Sequence, residues 1–186
     1  MNEHRAMAPS PWIRRFASLV PPGARVLDVA AGHGRHARLL AARGARVHAV
    51  DNDAAALAAL AGVDRVTTQV ADLEAGSWPF ADAAFDAIVV VHYLHRPAFG
   101  ELLRVLKRDA VLLYETFATG NEAYGRPSNP AFLLRENELL DVVRERLSVV
   151  AFEQGRIGGD RIAVIQRIAA VGRARGWPPA LPAQSS

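Results

Sequence analysis

Three acidic residues, Asp28, Asp51 and Asp72, each stand at the end of a short apolar run of the sequence. A carboxylate placed after a parallel strand can accept both hydroxyls of a ribose, and two hydrogen bonds to a charged acceptor fix the sugar. Asp51 is suited to that task. Asp72 is suited to accept a hydrogen bond from the exocyclic amine of adenine, and the following Leu73 can cover the ring. The three carboxylates therefore predict a site for a ligand that contains a nucleoside.

A glycine turn, Gly32-His33-Gly34, follows the run that holds Asp28. Small residues between a strand and a helix let the backbone approach a bound group closely, and the helix N-terminus can then hold that group. Asp28 has two possible roles here. It either orients the turn by accepting backbone N–H groups or contacts the ligand directly, and both roles place it in the same pocket.

Short β-branched or aliphatic runs alternate with helical periodicity along most of the chain. The predicted strands are residues 25–31, 46–50, 65–70, 87–91, 110–116, 148–154 and 161–169. The predicted helices are residues 12–20, 35–43, 53–61, 97–107 and 136–147. Such alternation predicts right-handed crossovers and a parallel sheet, and the nearly all-apolar run 87–91 is typical of its centre. Gly155 and Gly158-Gly159 predict that the last two strands form an antiparallel hairpin.

Composition limits the classes of protein that the chain can represent. It has 186 residues, 51% of them hydrophobic, which is enough for one substantial core. The absence of cysteine excludes disulfides, thiolate nucleophiles and Cys-ligated metals. No apolar stretch approaches the roughly 20 residues of a membrane span, so we expect a cytoplasmic protein.

The division into segments follows from these patterns and from the charge. We expect an N-terminal helix or lid over residues 1–24, one domain over residues 25–171, and a flexible tail over residues 172–186. The formal net charge is +3, and five arginines against one aspartate lie from Arg156 onward. A terminal bias of that size is more typical of a solvated surface than of nucleic-acid binding, so no nucleic-acid partner is expected.

The residues described so far resemble the class I S-adenosylmethionine-dependent methyltransferases over roughly residues 25–169. The resemblance covers Asp28 with its glycine turn, Asp51, Asp72, the Phe85-Asp86-Ala87-Ile88 entry to the fourth strand and the closing hairpin. Ala30 replaces the first glycine of the family's acid-x-Gly-x-Gly-x-Gly motif. The resemblance implies an α/β three-layer sandwich with a mostly parallel seven-stranded sheet, order 3-2-1-4-5-7-6, and an antiparallel last strand.

The same resemblance implies S-adenosylmethionine as cofactor, S-adenosylhomocysteine as product, and direct displacement of the methyl group by a small-molecule acceptor. The residues implied to bind the cofactor are Asp28, Ala30, Gly32, His33, Gly34, Asp51, Asn52, Ala71, Asp72, Leu73 and Val91. The strand end Tyr114-Glu115-Thr116-Phe117 and the loop from Asn121 to Asn129 are most similar to small bacterial methyltransferases of the tellurite-resistance type.

Side chains after the fourth and fifth strands are candidates for contact with the methyl acceptor. His92 and His95 are candidate general bases, since the unperturbed pKa of histidine is about 6.5, and Tyr93 is a third catalytic candidate. Arg96, Tyr124 and Arg126 are candidate substrate residues, because arginine suits an anionic acceptor and tyrosine a desolvated wall. The pairs His33/His36 and His92/His95 share one spacing, yet no partner carboxylates accompany them, so no metal site is predicted.

Two other functions remain open at this level. The run Gly32-His33-Gly34-Arg35-His36-Ala37 also fits the G-x-G-x-x-A turn of an NAD(P)-dependent oxidoreductase, although the closing hairpin and the lack of a Tyr-x-x-x-Lys pair favour the methyltransferase. A protein that binds S-adenosylmethionine without turnover would carry the same motifs. The partners expected are a small-molecule acceptor and, at most, a second copy of the chain.

Overall fold

The fold is taken from a computed structural model, which describes residues 8–158 and 162–182. The strands are β1 (Arg25–Val29), β2 (Arg46–Asp51), β3 (Val66–Val70), β4 (Phe85–Val91), β5 (Leu106–Phe117), β6 (Leu147–Ile157) and β7 (Ala163–Gly172). The α-helices of the described chain are α1 (Pro11–Phe16), α2 (Arg35–Ala42), α3 (Ala54–Ala58), α4 (Phe99–Val105) and α5 (Glu138–Val143). None of these helices is long and apolar enough to cross a bilayer.

The seven strands form one sheet in the order β3-β2-β1-β4-β5-β7-β6, which confirms the predicted topology. β1 to β5 are parallel, and β7 is antiparallel to both β5 and β6. The turn of the closing hairpin, with Gly159, and the predicted strand start at Arg161 lie outside the described residues. Parallel strands buried on both faces have continuous apolar sequences, and the buried run Ala87 to Val91 of β4 follows that rule.

Two hydrophobic clusters cover the two faces of the sheet and make it the middle of three layers. One cluster joins β4 to α1, α2 and α3 through residues such as Val89, Trp12 and Leu40. The other joins β4 to α4 and α5 through residues such as Ile88 and Leu102. A sheet with helices on both faces is the layer arrangement that the alternating sequence predicts.

Several predicted boundaries differ from the structure because strand pairing extends further than the sequence pattern. β5 begins at Leu106, inside the predicted helix 97–107, since Leu106 pairs with Phe85 of β4. β6 begins at Leu147, the predicted last residue of a helix, since Leu147 pairs with Gly172. β7 continues to Gly172, so the predicted tail begins one residue later. The predicted helix 53–61 is limited to α3.

The N-terminal helix is part of the core. Ser10 caps α1 by accepting hydrogen bonds from the backbone N–H groups of Trp12 and Ile13. Trp12, Ile13 and Phe16 are almost completely buried, and the indole N–H of Trp12 donates to the carbonyl of Ile168 at 3.2 Å. α1 is thus held by packing on the β5–β7 part of the sheet. The lid role expected for residues 1–24, which include this helix, stays a prediction.

The glycine turn before α2 generates a prediction about stability. Gly34 has φ 73°, and a Cβ there would overlap the side chain of Leu60, which is buried. Gly32 also has positive φ, at 52°, yet a Cβ there would meet no atom within 4 Å. We therefore expect Gly34→Ala to lower the free energy of unfolding by about 2–4 kcal/mol, from the left-handed backbone plus overpacking.

Gly32→Ala is the matched control, with an expected loss of about 1 kcal/mol from the backbone alone. Urea denaturation of both variants beside the wild type measures the two values. Equal losses would show that Leu60 does not restrict the turn.

Candidate functional site

The carboxyl ends of β1, β2 and β4 meet at one edge of the sheet, because these strands are parallel and in register. That edge holds the glycine turn after β1, Asp51 at the end of β2 and His92 directly after β4. Ligands of open α/β sheets bind outside the carboxyl ends of the strands, at the point where the strand order reverses. In this sheet the order reverses between β1 and β4, which are the strands that carry Asp28 and His92.

Left-handed backbone conformations shape the turn between β1 and α2. Ala30, Gly32 and Gly34 have φ angles of 52°, 52° and 73°. Glycine adopts these values freely, whereas an alanine at positive φ is strained by roughly 1–2 kcal/mol. Ala30 therefore takes the conformation that a glycine would take at this motif position, which explains how the motif tolerates the replacement.

Asp51 holds the glycine turn against the end of β2. One carboxylate oxygen of Asp51 accepts from the backbone N–H of Gly32 at 2.7 Å, and the other accepts from that of Asp53 at 2.9 Å. Each carboxylate oxygen can accept more than one hydrogen bond, so both retain capacity for a ligand. Asn52 is exposed beside it, and the predicted ribose contact remains compatible with this geometry.

Asp28 is a buried carboxyl group with an unsatisfied oxygen. Its side chain is 1% exposed, and Oδ2 has no hydrogen-bond partner. Burial raises its pKa to about 7, although a hydrogen bond from the Ala37 backbone N–H and the charge of Arg35 act in the opposite direction. Asp28 thus orients the start of α2 and still presents a free acceptor or donor oxygen.

The loop after β3 reaches the same edge. The N–H of Ala71 donates to the carbonyl of Asp51 at 3.0 Å, which continues the sheet by one residue. Asp72 is exposed and accepts from the backbone N–H of Glu74, while Leu73 is buried. The indole N–H of Trp78 donates to the carbonyl of Leu73 at 3.2 Å, so the buried Trp78 anchors this loop.

His92 follows β4 in a strained conformation and forms one wall of the edge beside buried Val91. Its φ is 59°, in the left-handed region that non-glycine residues seldom adopt. The imidazole stacks on Phe117 with a centroid distance of 4.9 Å, and Nδ1 lies 3.5 Å from a guanidinium nitrogen of Arg35. The surrounding protein atoms and the charge of Arg35 lower the pKa of His92, which keeps the ring neutral at pH 7.

Tyr93 carries the second buried polar atom without a partner. Among the described residues, Asp28 Oδ2 and Tyr93 Oη are the buried side-chain oxygen or nitrogen atoms that lack a hydrogen bond. Burial raises the pKa of Tyr93, so its hydroxyl is a donor at neutral pH. An unsatisfied buried polar group costs about 1–3 kcal/mol, and ligand-binding sites are one place where such groups occur.

Two of the other described histidines, His36 and His95, have structural contacts. His36 is buried and accepts the backbone N–H of Ser10 at 3.2 Å, and burial lowers its pKa to about 3. His95 faces the loop after β3, with Nδ1 3.6 Å from a carboxylate oxygen of Glu74. His33 is exposed. Within residues 8–158 and 162–182, no group of three or more His, Asp or Glu side chains could hold a metal ion.

The three predicted substrate residues differ in their availability. Arg96 is committed to structural contacts, because its guanidinium forms a bidentate ion pair with Glu138 at 2.7 and 2.9 Å and also donates to the carbonyls of Ala131 and Leu133. These contacts are at variance with the predicted role of Arg96 in substrate binding. Tyr124 and Arg126 lie exposed in the loop after β5, with the Tyr124 hydroxyl 3.4 Å from Arg156.

Residues that the sequence did not single out complete the site's polar surroundings. Glu115 of β5 is 7% exposed and accepts from the Ser10 hydroxyl at 2.9 Å and from Arg167 at 3.2 Å. Its backbone carbonyl accepts the N–H of His92 at 2.9 Å. The signals that could have found them are the charge of Glu115 inside the apolar run of β5 and the place of Arg35 immediately after the glycine turn.

The described geometry defines a class of protein, an α/β domain whose glycine turn, acidic strand ends and His92 lie together at the carboxyl edge of the sheet. Residues 26–109 match the family model of a methyltransferase domain. This match covers 84 of the 186 residues. Together with the strand order and the acidic strand ends, it shows that this part of the chain is similar to methyltransferase domains, in agreement with the resemblance to class I S-adenosylmethionine-dependent methyltransferases that the sequence indicates.

Individual proteins are also similar to this chain. A demethylmenaquinone methyltransferase of Clavibacter sepedonicus is 41% identical over 106 residues, which cover 52% of this chain and 42% of that protein. The chain thus matches less than half of that relative's length. TehB of Haemophilus influenzae has the same fold, with a TM-score of 0.71 at 18% identity over 84% of this chain and 60% of that chain.

A third similar protein was solved with ligands. The 1,6-didemethyltoxoflavin-N1-methyltransferase of Burkholderia thailandensis, with bound 1,6-didemethyltoxoflavin and S-adenosylhomocysteine, gives a TM-score of 0.65 at 24% identity. The superposition covers 91% of this chain and 79% of that chain. At this identity the likeness shows the shared fold.

The raised pKa of Asp28 predicts a stability that falls with pH. In the unfolded chain this carboxyl has its ordinary pKa near 3.8, so between pH 4 and 7 the folded state binds more protons and loses stability as pH rises. Asp28→Asn carries no titrating proton. We expect the free energy of unfolding of Asp28→Asn, relative to wild type, to increase by about 2 kcal/mol from pH 5 to pH 7.

Urea denaturation of both proteins at the two pH values measures this difference. The contributions of the other titrating groups are the same in both proteins and cancel. A difference that stays constant with pH would show that the Asp28 carboxyl is ionised throughout.

Proposed function

We propose that this chain transfers a methyl group from S-adenosylmethionine to a small planar aromatic acceptor by direct displacement. The observation that carries the proposal is the position of the two unsatisfied buried polar atoms. Asp28 Oδ2 and Tyr93 Oη belong to the residues at the ends of β1 and β4, where the strand order reverses. A cofactor and an acceptor bound there would supply the missing hydrogen-bond partners.

The residues at this edge fit the polar groups of the cofactor. Asp51 would hold the ribose hydroxyls, Asp72 the adenine amine, and Leu73 and Val91 the apolar faces of the adenosyl group. The turn from Ala30 to Gly34 presents backbone close to the ligand, and Asp28 would accept from its amino group. When bound, the cofactor supplies an electrophilic methyl group, and the charge of its sulfonium is consumed by the transfer.

His92 and Tyr93 would serve the acceptor. The imidazole of His92 is neutral at pH 7 because of its lowered pKa, so it can take a proton from an acceptor hydroxyl or ring N–H as the methyl bond forms. Its stack on Phe117 provides a flat wall. Arg35, within 3.5 Å of His92, would stabilise negative charge that develops on the acceptor. Orientation and exclusion of water would then supply most of the rate enhancement.

The similar proteins support a planar acceptor. Demethylmenaquinone and 1,6-didemethyltoxoflavin are the compounds in the names of two of them, and both contain a flat ring system. The exposed loop with Tyr124 and Arg126 lies after β5, whose end carries Phe117, and would contact the part of the acceptor furthest from the cofactor. We further propose that the protein acts in the cytoplasm as a monomer or homodimer, without nucleic acid.

Calorimetric titration with S-adenosylhomocysteine tests the cofactor assignment, with NAD(H) and NADP(H) as comparison ligands. Asp51→Ala should weaken S-adenosylhomocysteine binding by about 1.5–3 kcal/mol, because hydrogen bonds to a charged acceptor are lost. Asp53→Ala is the matched control, since it removes the same charge two residues away. The only structural contact it removes is the N-terminal cap of α3.

Saturable binding of S-adenosylhomocysteine alone, weakened only by Asp51→Ala, supports the proposal. Binding of a nicotinamide cofactor instead would favour the alternative function, that of an NAD(P)-dependent oxidoreductase. Equal losses of S-adenosylhomocysteine affinity in both variants would show that Asp51 does not contact the ligand.

The role of His92 is tested with demethylmenaquinol and other planar phenols, quinols and N–H heterocycles as acceptors, by following S-adenosylhomocysteine formation. His92→Asn keeps a residue that tolerates positive φ but removes the base. We expect kcat/KM to fall by roughly 10² to 10⁴-fold, while affinity for S-adenosylhomocysteine changes less than about threefold. In the wild type, kcat/KM should decline below a pH that lies under 6.5, since the pKa of His92 is lowered.

His95→Asn is the control and should leave kcat/KM nearly unchanged, because His95 faces Glu74. A loss of cofactor affinity as large as the loss of activity would make His92 a wall of the cofactor site. Cofactor binding without methylation of any acceptor would favour the alternative that the protein binds S-adenosylmethionine without catalysing a reaction.

A further inference from the structure

A groove lies at the opposite end of the sheet, on the face covered elsewhere by α4 and α5. The connection from β3 to β4, residues 71–84, contains no helix in this fully described stretch, so the outer strands β2 and β3 are left open on that face. The resulting cavity has a volume of about 510 Å³. Small-molecule sites commonly have volumes of 300–1,000 Å³.

Three arginines form a row along one rim of this groove. Arg25 and Arg46 are partners in the β1–β2 register, and Arg65 precedes Val66, the β3 partner of Val47. Residues in register on neighbouring strands point to the same face, about 4.8 Å apart. Arg25 and Arg46 therefore point to the same face, and Arg65, immediately before β3, lines the same groove.

Most of this positive charge is not compensated by carboxylates. The Arg46 guanidinium donates to the carbonyl of Gly23 at 3.2 Å, and that of Arg25 lies 5.6 Å from the ring centre of Phe85. Both contacts fix the side chain without neutralising it. Arg65 is 3.5 Å from Asp64, whose side chain is 92% exposed, so this ion pair is strongly screened.

The carboxylate of Asp86, whose pKa the charges of Lys107 and Arg25 help to lower, already has hydrogen-bond partners. It accepts from Lys107 at 2.6 Å and from the backbone N–H of Arg25 at 2.8 Å. The groove consequently retains an excess of positive charge on three exposed arginines, and guanidinium groups bind phosphate groups.

The floor and wall of the groove are polar and aromatic. His48 on the floor is held between Thr67 and Gln69, with 2.9 Å from each ring nitrogen to its partner oxygen. Phe80 forms the wall, edge-on to His48 at 5.7 Å and to Phe85 at 5.2 Å between ring centres. Phe80 is only partly buried, so its ring offers apolar surface to a ligand.

We propose that this groove binds a phosphorylated ligand with a flat ring, the chemistry of a free nucleotide. The arginine row would hold the phosphates, and the ring would pack on Phe80 above the polar floor of His48. Arg46 and Asp51 are at opposite ends of β2, roughly 16 Å apart at 3.3 Å per residue. The groove is therefore separate from the candidate cofactor site and does not depend on the function proposed there.

Calorimetric titration with uridine diphosphate tests the proposal, with and without saturating S-adenosylhomocysteine. A pyrimidine nucleotide is chosen because the other site is built for adenosine. We expect saturable binding of uridine diphosphate that S-adenosylhomocysteine does not displace. The double variant Arg46→Gln/Arg65→Gln should weaken this binding at least tenfold.

The matched control is Arg14→Gln/Arg144→Gln, which removes two exposed arginines and the same formal charge elsewhere. It should bind uridine diphosphate like the wild type. Phe80→Leu should weaken uridine diphosphate binding but not binding of inorganic pyrophosphate, because only the nucleotide has a ring. Circular dichroism of each variant verifies that the fold is retained.

Four results with small ligands would overturn the proposal. They are the absence of saturable binding to the wild type, an equal loss of affinity in both arginine double variants, displacement by S-adenosylhomocysteine, and equal affinity for pyrophosphate and uridine diphosphate that is unaffected by Phe80→Leu. A ten-residue oligouridylate that binds tenfold more tightly than uridine diphosphate would assign the groove to nucleic acid and likewise overturn the assignment to a free nucleotide.

Discussion

The parallel register of β1 between β2 and β4 is the constraint on which the rest of the structure depends. Val26 of β1 pairs with Val47 on one side and with Ala87 on the other, so three strands end at the same level. Their apolar side chains are buried in clusters on both faces. Because the faces are covered by helices, the strand ends are the place where polar side chains can gather without being buried in apolar packing.

Part of the cost of this arrangement lies at the carboxyl edge. Ala30 and His92 have positive φ, and Asp28 and Tyr93 have buried oxygens without partners. Strain and unsatisfied polar groups persist only when the surrounding packing fixes them, and they often mark functional sites. Here the packing of β1 and β4 in the core provides that fixation, which gives the edge a rigid geometry before any ligand binds.

The two ends of the sheet differ in charge as well as in shape. The carboxyl end carries Asp28, Asp51 and Asp72, whereas the amino end carries the arginine row beside the groove. The sequence suggested that the basic bias belongs to the C-terminal part of the chain. The sheet instead brings Arg25, Arg46 and Arg65, from three separate β-strand beginnings, into one row.

The sequence alone determined the strand and helix alternation, the sheet order and the acidic strand ends, because these follow from local periodicity and from the family motif around Asp28. It also indicated the glycine turn and the position of Asp51. Boundaries such as the start of β5 were decided by pairing with β4, which local pattern does not encode. Only the tertiary structure decided that Arg96 forms an ion pair with Glu138 and that the backbone of Glu115 supports His92. It likewise decided that the three arginines form a row. Each of these contacts depends on residues distant in sequence that meet across the sheet or its loops.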